Sequence, residues 1–183
     1  MGLFSRLSKI TGAKAPAVRA HEAFNGAIRV YETPLGSEWS ADEVFEEGDG
    51  FLKYVLKYKL PGEPLSMVLS AKLYVLHEDL GAPPDPASTA WSAEFATFFA
   101  TAPTVATSTT QQLLMRGTLP AAEALVQGQS EAHALPLSIR ERRATLGQRQ
   151  FIVTAIGPSA AFAAHSSAID AWFATSAFDV DED

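Results

Sequence analysis

From Leu52 to Leu60 apolar and charged residues trade places along the chain: Leu52, Tyr54, Leu56, Tyr58 and Leu60 alternate with Lys53, Lys57 and Lys59. A period of two puts successive side chains on opposite faces, so this stretch is expected to be a strand with one apolar and one solvated face. Pro61-Gly-Glu-Pro64 breaks the pattern, and Met67, Leu69, Ala71, Leu73 and Val75 resume it. Residues 51–77 therefore read as an antiparallel hairpin or meander. Residues 122–133, 137–146 and 150–156 read as three more strands, with Gly147 at the turn between the last two. The third is almost continuously apolar, which is the pattern of a central strand. Nearer the start, Ile28 and Val30 mark a first strand, Pro34-Leu-Gly36 a turn, and Trp39 a short extended segment.

Helical periods appear in three places. Leu3, Phe4, Leu7 and Ile10 share a side opposite Arg6 and Lys9, predicting a short amphipathic helix over residues 2–11. The Ala/Pro-rich stretch 13–20 is a linker, so residues 1–20 form an N-terminal segment ahead of a domain at 21–178. Ser88 is placed to cap a helix carrying Trp91, Phe95, Phe98 and Phe99 at i, i+4, i+7 and i+8, a stripe more often buried as core than used as a ligand box. Ser159 is placed to cap a final helix in which Phe162, Ile169 and Phe173 form a stripe beside Trp172, ending at Ser176-Ala-Phe178. Residues 101–121 show no clear period and read as loop with a possible helical turn. Asp179 to Asp183 is a solvated acidic tail.

This order of elements predicts an α+β fold, an antiparallel sheet covered on one face by helices. It resembles the Mog1/PsbP-like fold family over residues of about 24–178. The likeness is carried by Ile28 to Trp39 at the front, and by Gln150-Phe-Ile-Val-Thr-Ala-Ile-Gly-Pro158, Phe162 and Ser176-Ala-Phe178 at the back. The chain departs from that pattern where Ala177 separates Ser176 from Phe178. The resemblance implies a scaffold used mostly for protein binding, as in photosystem extrinsic subunits, a nuclear-transport factor and chaperones of type VI secretion effectors. The lipoprotein branch of such proteins is disfavoured, because there is no cysteine to acylate.

Composition narrows the chemistry. The 183 residues, 47% of them hydrophobic, suffice for one domain with a sizeable core. Fourteen Lys+Arg against 21 Asp+Glu give a net charge of −7, which opposes association with nucleic acid or anionic membranes. The absence of cysteine removes disulfides, thiolate metal sites and thiol nucleophiles. The N-terminus lacks a secretory apolar run and no 18-residue apolar stretch occurs, so a soluble, cytoplasmic protein is expected.

No catalytic constellation stands out. His21, His77, His133 and His165 lack metal-ligand spacing, and His77-Glu-Asp79 reads as readily as strand-end polar residues as it does as a cation site. No nucleophile elbow and no phosphate loop is present. The acidic run 42–49 reads as a solvated loop. Arg140 and Arg142 project from one face of a strand and, set beside Lys53 and Lys57, would make a basic sheet face able to dock an acidic protein surface. The alternative is a solvent face whose charges are balanced by neighbouring glutamates.

The expectation is a non-enzymatic protein-binding module, an adaptor, chaperone or assembly factor, without a cofactor or metal. Its contacts would be Lys53, Lys57, Arg140 and Arg142, with Trp39 as an anchor and Leu3, Phe4, Leu7 and Ile10 on the N-terminal helix, through which peripheral membrane contact is also open. The second expectation is a carrier with an apolar pocket between sheet and helices. An enzyme with a site assembled from distant residues is the third.

Overall fold

The computed structural model describes residues 21–30, 36–77 and 95–180. Among the described residues ten strands form one sheet: β1 His21–Ala23, β2 Ile28–Val30, β3 Ser40–Gly48, β4 Phe51–Leu60, β5 Met67–Leu76, β6 Thr104–Leu114, β7 Gly117–Gln129, β8 Pro136–Leu146, β9 Arg149–Pro158 and β10 Ser176–Phe178. Two short helices, α1 Ser159–Ala164 and α2 Ser166–Thr175, lie between β9 and β10. The order across the sheet is β1-β2-β10-β6-β7-β8-β9-β5-β4-β3, and all pairings are antiparallel except β10 with β6.

The sheet curls into a nearly closed barrel, which overturns the expected α+β layer of helices over one sheet face. The helices do not cover the sheet. They lie within its curl: Ile169, Trp172 and Phe173 of α2 are buried with Leu56, Leu69, Phe151 and Val153 of β4, β5 and β9. Trp172 donates its indole N–H to the Ser70 carbonyl at 3.3 Å and meets Tyr58 edge to face at 5.4 Å. A helix buried on this side needs its last carbonyls satisfied. Ser176 Oγ donates to Trp172 O at 2.6 Å, and Arg142 Nη1 donates to Phe173 O at 2.8 Å.

The hairpin expected at 51–77 is present as β4 and β5, paired from Phe51↔Leu76 to Leu60↔Met67. The three later strands are present as β7, β8 and β9, and β9 is interior, between β8 and β5. Gly147 at φ +54° opens the two-residue loop joining β8 to β9, a left-handed position that glycine occupies without cost.

Four expectations are corrected. Within the expected loop 101–121, residues 104–114 form β6 and residues 117–121 begin β7, a hairpin turning at Met115-Arg116. Residues 104–109 are exposed, so no apolar alternation was imposed on them, and strand formation rests on the β-branched threonines. Pro120 is tolerated there because β8 pairs only with residues 122–129, leaving its missing N–H on an unpaired side. The acidic run Asp42 to Gly48 is not a loop but most of β3. Ser176-Ala-Phe178 is not a helix end but β10, inserted between β2 and β6. Ser159 does not cap; it is the first residue of α1 and its hydroxyl meets that of Ser138 at 2.8 Å.

The ends of the sheet, β1 and β3, are bridged by a side chain. His21 Nδ1 shares a hydrogen bond with the Tyr58 hydroxyl of β4, and its Nε2 lies 3.2 Å from Glu43 Oε1 of β3. Burial, and then the Glu43 charge, hold the Tyr58 hydroxyl above the ordinary tyrosine range.

Candidate binding groove on the outer sheet face

Directly opposed residues in an antiparallel ladder point to the same face. The row Leu56, Ala71, Val153, Arg142, Glu123 therefore faces inward with the core. The next row, Lys57, Ser70, Thr154, Glu141, Ala124, faces outward. The expected basic face does not exist as such. Lys53 and Lys57 are on the outside and Arg140 and Arg142 are on the inside.

Each of these cations has a carboxylate partner. Glu123 accepts from Arg140 Nε and Arg142 Nε, both at 2.8 Å, and Arg140 Nη1 also reaches Asp170 at 2.7 Å. Both guanidinium groups stack on the Phe173 ring, at 4.2 and 5.3 Å from its centroid. These two arginines hold α2 in place. Lys53 pairs with Glu46 at 2.8 Å, a hydrogen bond that raises its ammonium above the usual range against the opposing effect of burial. Lys57 pairs with Asp42 at 3.1 Å. The carboxylates of β3 thus face lysines of β4 across the ladder, a pairing that one residue of slip would lose. Trp39 is 8% exposed and lies edge to face with His165, so it belongs to the core and is not a surface anchor. Leu3, Phe4, Leu7 and Ile10 lie outside the described residues, as does Trp91.

The outer face of β7, β8 and β9 carries a second core: Ala124, Val126, Leu137 and Ile139 covered by Phe95 and Phe99. Of the expected aromatic stripe, Phe95 and Phe99 are buried as anticipated, but Phe98 is 48% exposed. Phe95 and Phe99 pack on the patch of Ala124, Val126, Leu137 and Ile139, while the Phe98 ring is left half exposed. Gly128 makes the fit possible, since a Cβ there would come within 2.8 Å of the Phe99 ring.

The backbone around Phe98 is pinned. Ala100 N donates to Gln129 O at 2.9 Å, and Glu131 N donates to Phe98 O at 3.1 Å. The turn after β7 is closed by Ser130 N to Leu135 O at 2.8 Å. Between this turn and the Phe98 segment lies a cavity of about 530 Å³, open on one side, with walls supplied chiefly by Leu65, Phe98, Ala132, Leu137 and Ile156. Thr97, Ser130, Glu131 and His133 complete its lining. Its size is that of an ordinary small-ligand site, and its walls are overwhelmingly apolar.

The sequence suggested an apolar pocket between sheet and helix as an alternative, but not its walls. The apolar walls belong to strands whose outward residues would otherwise be polar, and only the packing of residues 95–99 onto them makes a recess. Among the described residues no group of three or more metal-ligating side chains converges. Nor is any helix among them long and apolar enough to cross a membrane.

Neither a family model, nor a curated protein, nor a solved structure matches this chain.

Proposed function

We propose that this protein is a non-enzymatic binding protein that holds an apolar group in the groove beside Phe98. The observation that carries the reading is the 530 Å³ apolar recess on the outside of a barrel whose inside is filled by α2. Burial of apolar surface supplies affinity without any charged partner, at about 25 cal/mol per Å² removed from water. The recess lies between the sheet and the segment that carries Phe95, Phe98 and Phe99, which supports a carrier reading.

The recess volume favours a small apolar molecule. A neutral fluorescent probe, N-phenyl-1-naphthylamine, is expected to brighten and shift to the blue on binding. Ala132→Trp, which fills the recess from an exposed turn position, is expected to remove that signal while leaving the melting temperature in place. An unchanged signal in that variant would rule the groove out as the probe's site.

The exposure of Phe98 favours a second reading, a protein partner that inserts a side chain into the same recess and packs on the Phe98 ring. On that reading Phe98→Asp abolishes capture of the partner, and the neutral probe competes with it for the site.

A further inference from the structure

A strand edge presents unpaired backbone groups that can add a strand from another chain, and proteins commonly blunt such edges by shortness, charge or proline. Most edges among the described residues are blunted in this way. β1 is three residues long. β3 carries Asp42, Glu43, Glu46 and Glu47 along its nine residues. The part of β7 that β8 leaves unpaired contains Pro120. β6 is different. β10 meets it at Leu113 and Leu114, and among the described residues no strand pairs with Thr104 to Gln112 on the side away from β7. Thr104 to Thr109 are exposed, Val105 to 39%. The run from Thr104 to Leu114 holds neither a charge nor a proline, and its β-branched residues suit an extended backbone.

We propose that this edge pairs with itself, joining two copies of the chain through antiparallel β6 strands into one continuous sheet. On a chain of net charge −7, two copies repel across an acidic edge such as β3, whereas β6 brings no carboxylate to the contact. A strand without charges has no charge pattern with which to select an unlike partner. Its hydroxyls each donate and accept, so a row of threonines and serines is complementary to a second copy of that row. A two-fold axis normal to the sheet keeps the outer faces of both copies on one side. Centred at Thr107, it sets Thr107 against its own copy, Val105 against Thr109, Ala106 against Ser108 and Thr104 against Thr110. A centre one residue earlier would set Pro103, which lacks an N–H, against Thr109. A centre one residue later would set Gln112, buried and donating to the Ser176 carbonyl, against Thr104. A contact made by one strand is small, so the dimer is expected to be weak, with a Kd on the order of 10 μM.

Sedimentation velocity on the full-length protein, from about 1 μM to about 1 mM, is expected to show a monomer giving way to a dimer. Thr107→Lys and Thr107→Glu each set like charges face to face and are expected to weaken dimerisation by about tenfold or more. The position is exposed, so the circular dichroism spectrum and melting temperature of each variant are expected to match the wild type at monomer concentrations. Mixed in equal amounts, the two variants are expected to regain a dimer, because opposite charges then meet at the two-fold axis. Glu47→Lys, at an exposed position of β3, is expected to leave the wild-type dimer intact. A wild-type chain that stays monomeric over the whole range, whether or not it takes up a strand from another protein, would overturn the proposal. So would a dimer that survives both Thr107 substitutions, a mixture of the two variants that stays monomeric, or a dimer lost to Glu47→Lys.

Discussion

Two neighbouring rows of the same five strands behave in opposite ways. Leu56, Ala71, Val153, Arg142 and Glu123 look inward, and their polar members are consumed in holding a helix. Lys57, Ser70, Thr154, Glu141 and Ala124, one residue along, look outward, and part of that face is left as a recess under Phe98. The inner row shows what charged residues do when buried against structure. Glu123 is shared by Arg140 and Arg142, and Arg142 ties off the last turn of α2, so none of the three is presented to a partner. The outer row shows what an apolar surface does when the chain covers it only in part. Charge by itself does not separate the two faces, because ion pairs inside a curled sheet and ion pairs on its outside come from the same residue types.

The difference is sharpest where the interior is emptied. Trp172→Ala removes the largest side chain of α2 from the barrel and is expected to destabilise the fold by about 3–5 kcal/mol, read by urea denaturation. A loss under 1 kcal/mol would mean that the interior is not the close-packed region described. Glu123→Gln replaces the carboxylate shared by Arg140 and Arg142 with a neutral amide in a largely buried setting, leaving Arg140 its Asp170 contact, and is expected to cost roughly 2–3 kcal/mol. If the same substitution were neutral, the inner arginines would be reaching water and the contrast between the two faces would weaken.

The closure of the barrel offers a pH test. The Tyr58 hydroxyl is held above its usual range, so its contribution to stability is fully present below about pH 10, the unfolded value. That contribution is lost as the pH rises through the higher folded value, where the hydroxyl must ionise beside Glu43. Wild-type stability is therefore expected to fall above pH 10, and Tyr58→Phe to flatten that fall, in denaturation curves at pH 8 to 11. At the other extreme, Phe98→Ala is expected to shift stability by less than about 1 kcal/mol, since the ring is half exposed. Its effect belongs in binding, with naphthylamine affinity lowered about tenfold, the loss of roughly 1.4 kcal/mol of contact. A large stability loss at Phe98 would make it a core residue and remove the rim of the groove.

Several elements were legible because burial on one face writes itself into the sequence. The alternation of β4 and β5, the apolar run of β9 and the stripe of Ile169, Trp172 and Phe173 are of this kind. The strand β3 could have been found as well: Asp49-Gly50, with Gly50 at φ +88°, joins Gly48 to Phe51 as a two-residue hairpin loop, a stronger signal than the acidity around it. β6 left no such trace, because its exposed half has no buried face to demand alternation.

What the sequence determined by itself is local: where the chain extends, where it turns, and which residues of each element are apolar. Which way the sheet curls, and so which of its faces becomes the inside, was decided only by tertiary structure. It depends on ten strands pairing in an order that carries β10 from the C-terminal end back between β2 and β6. The groove depends on the same long-range assembly, since its walls come from the β5 approach, the Phe98 turn, the turn after β7 and strands β8 and β9. Residues far apart in the chain leave no periodic signal of their meeting, because each satisfies its local pattern equally well in either face of a sheet.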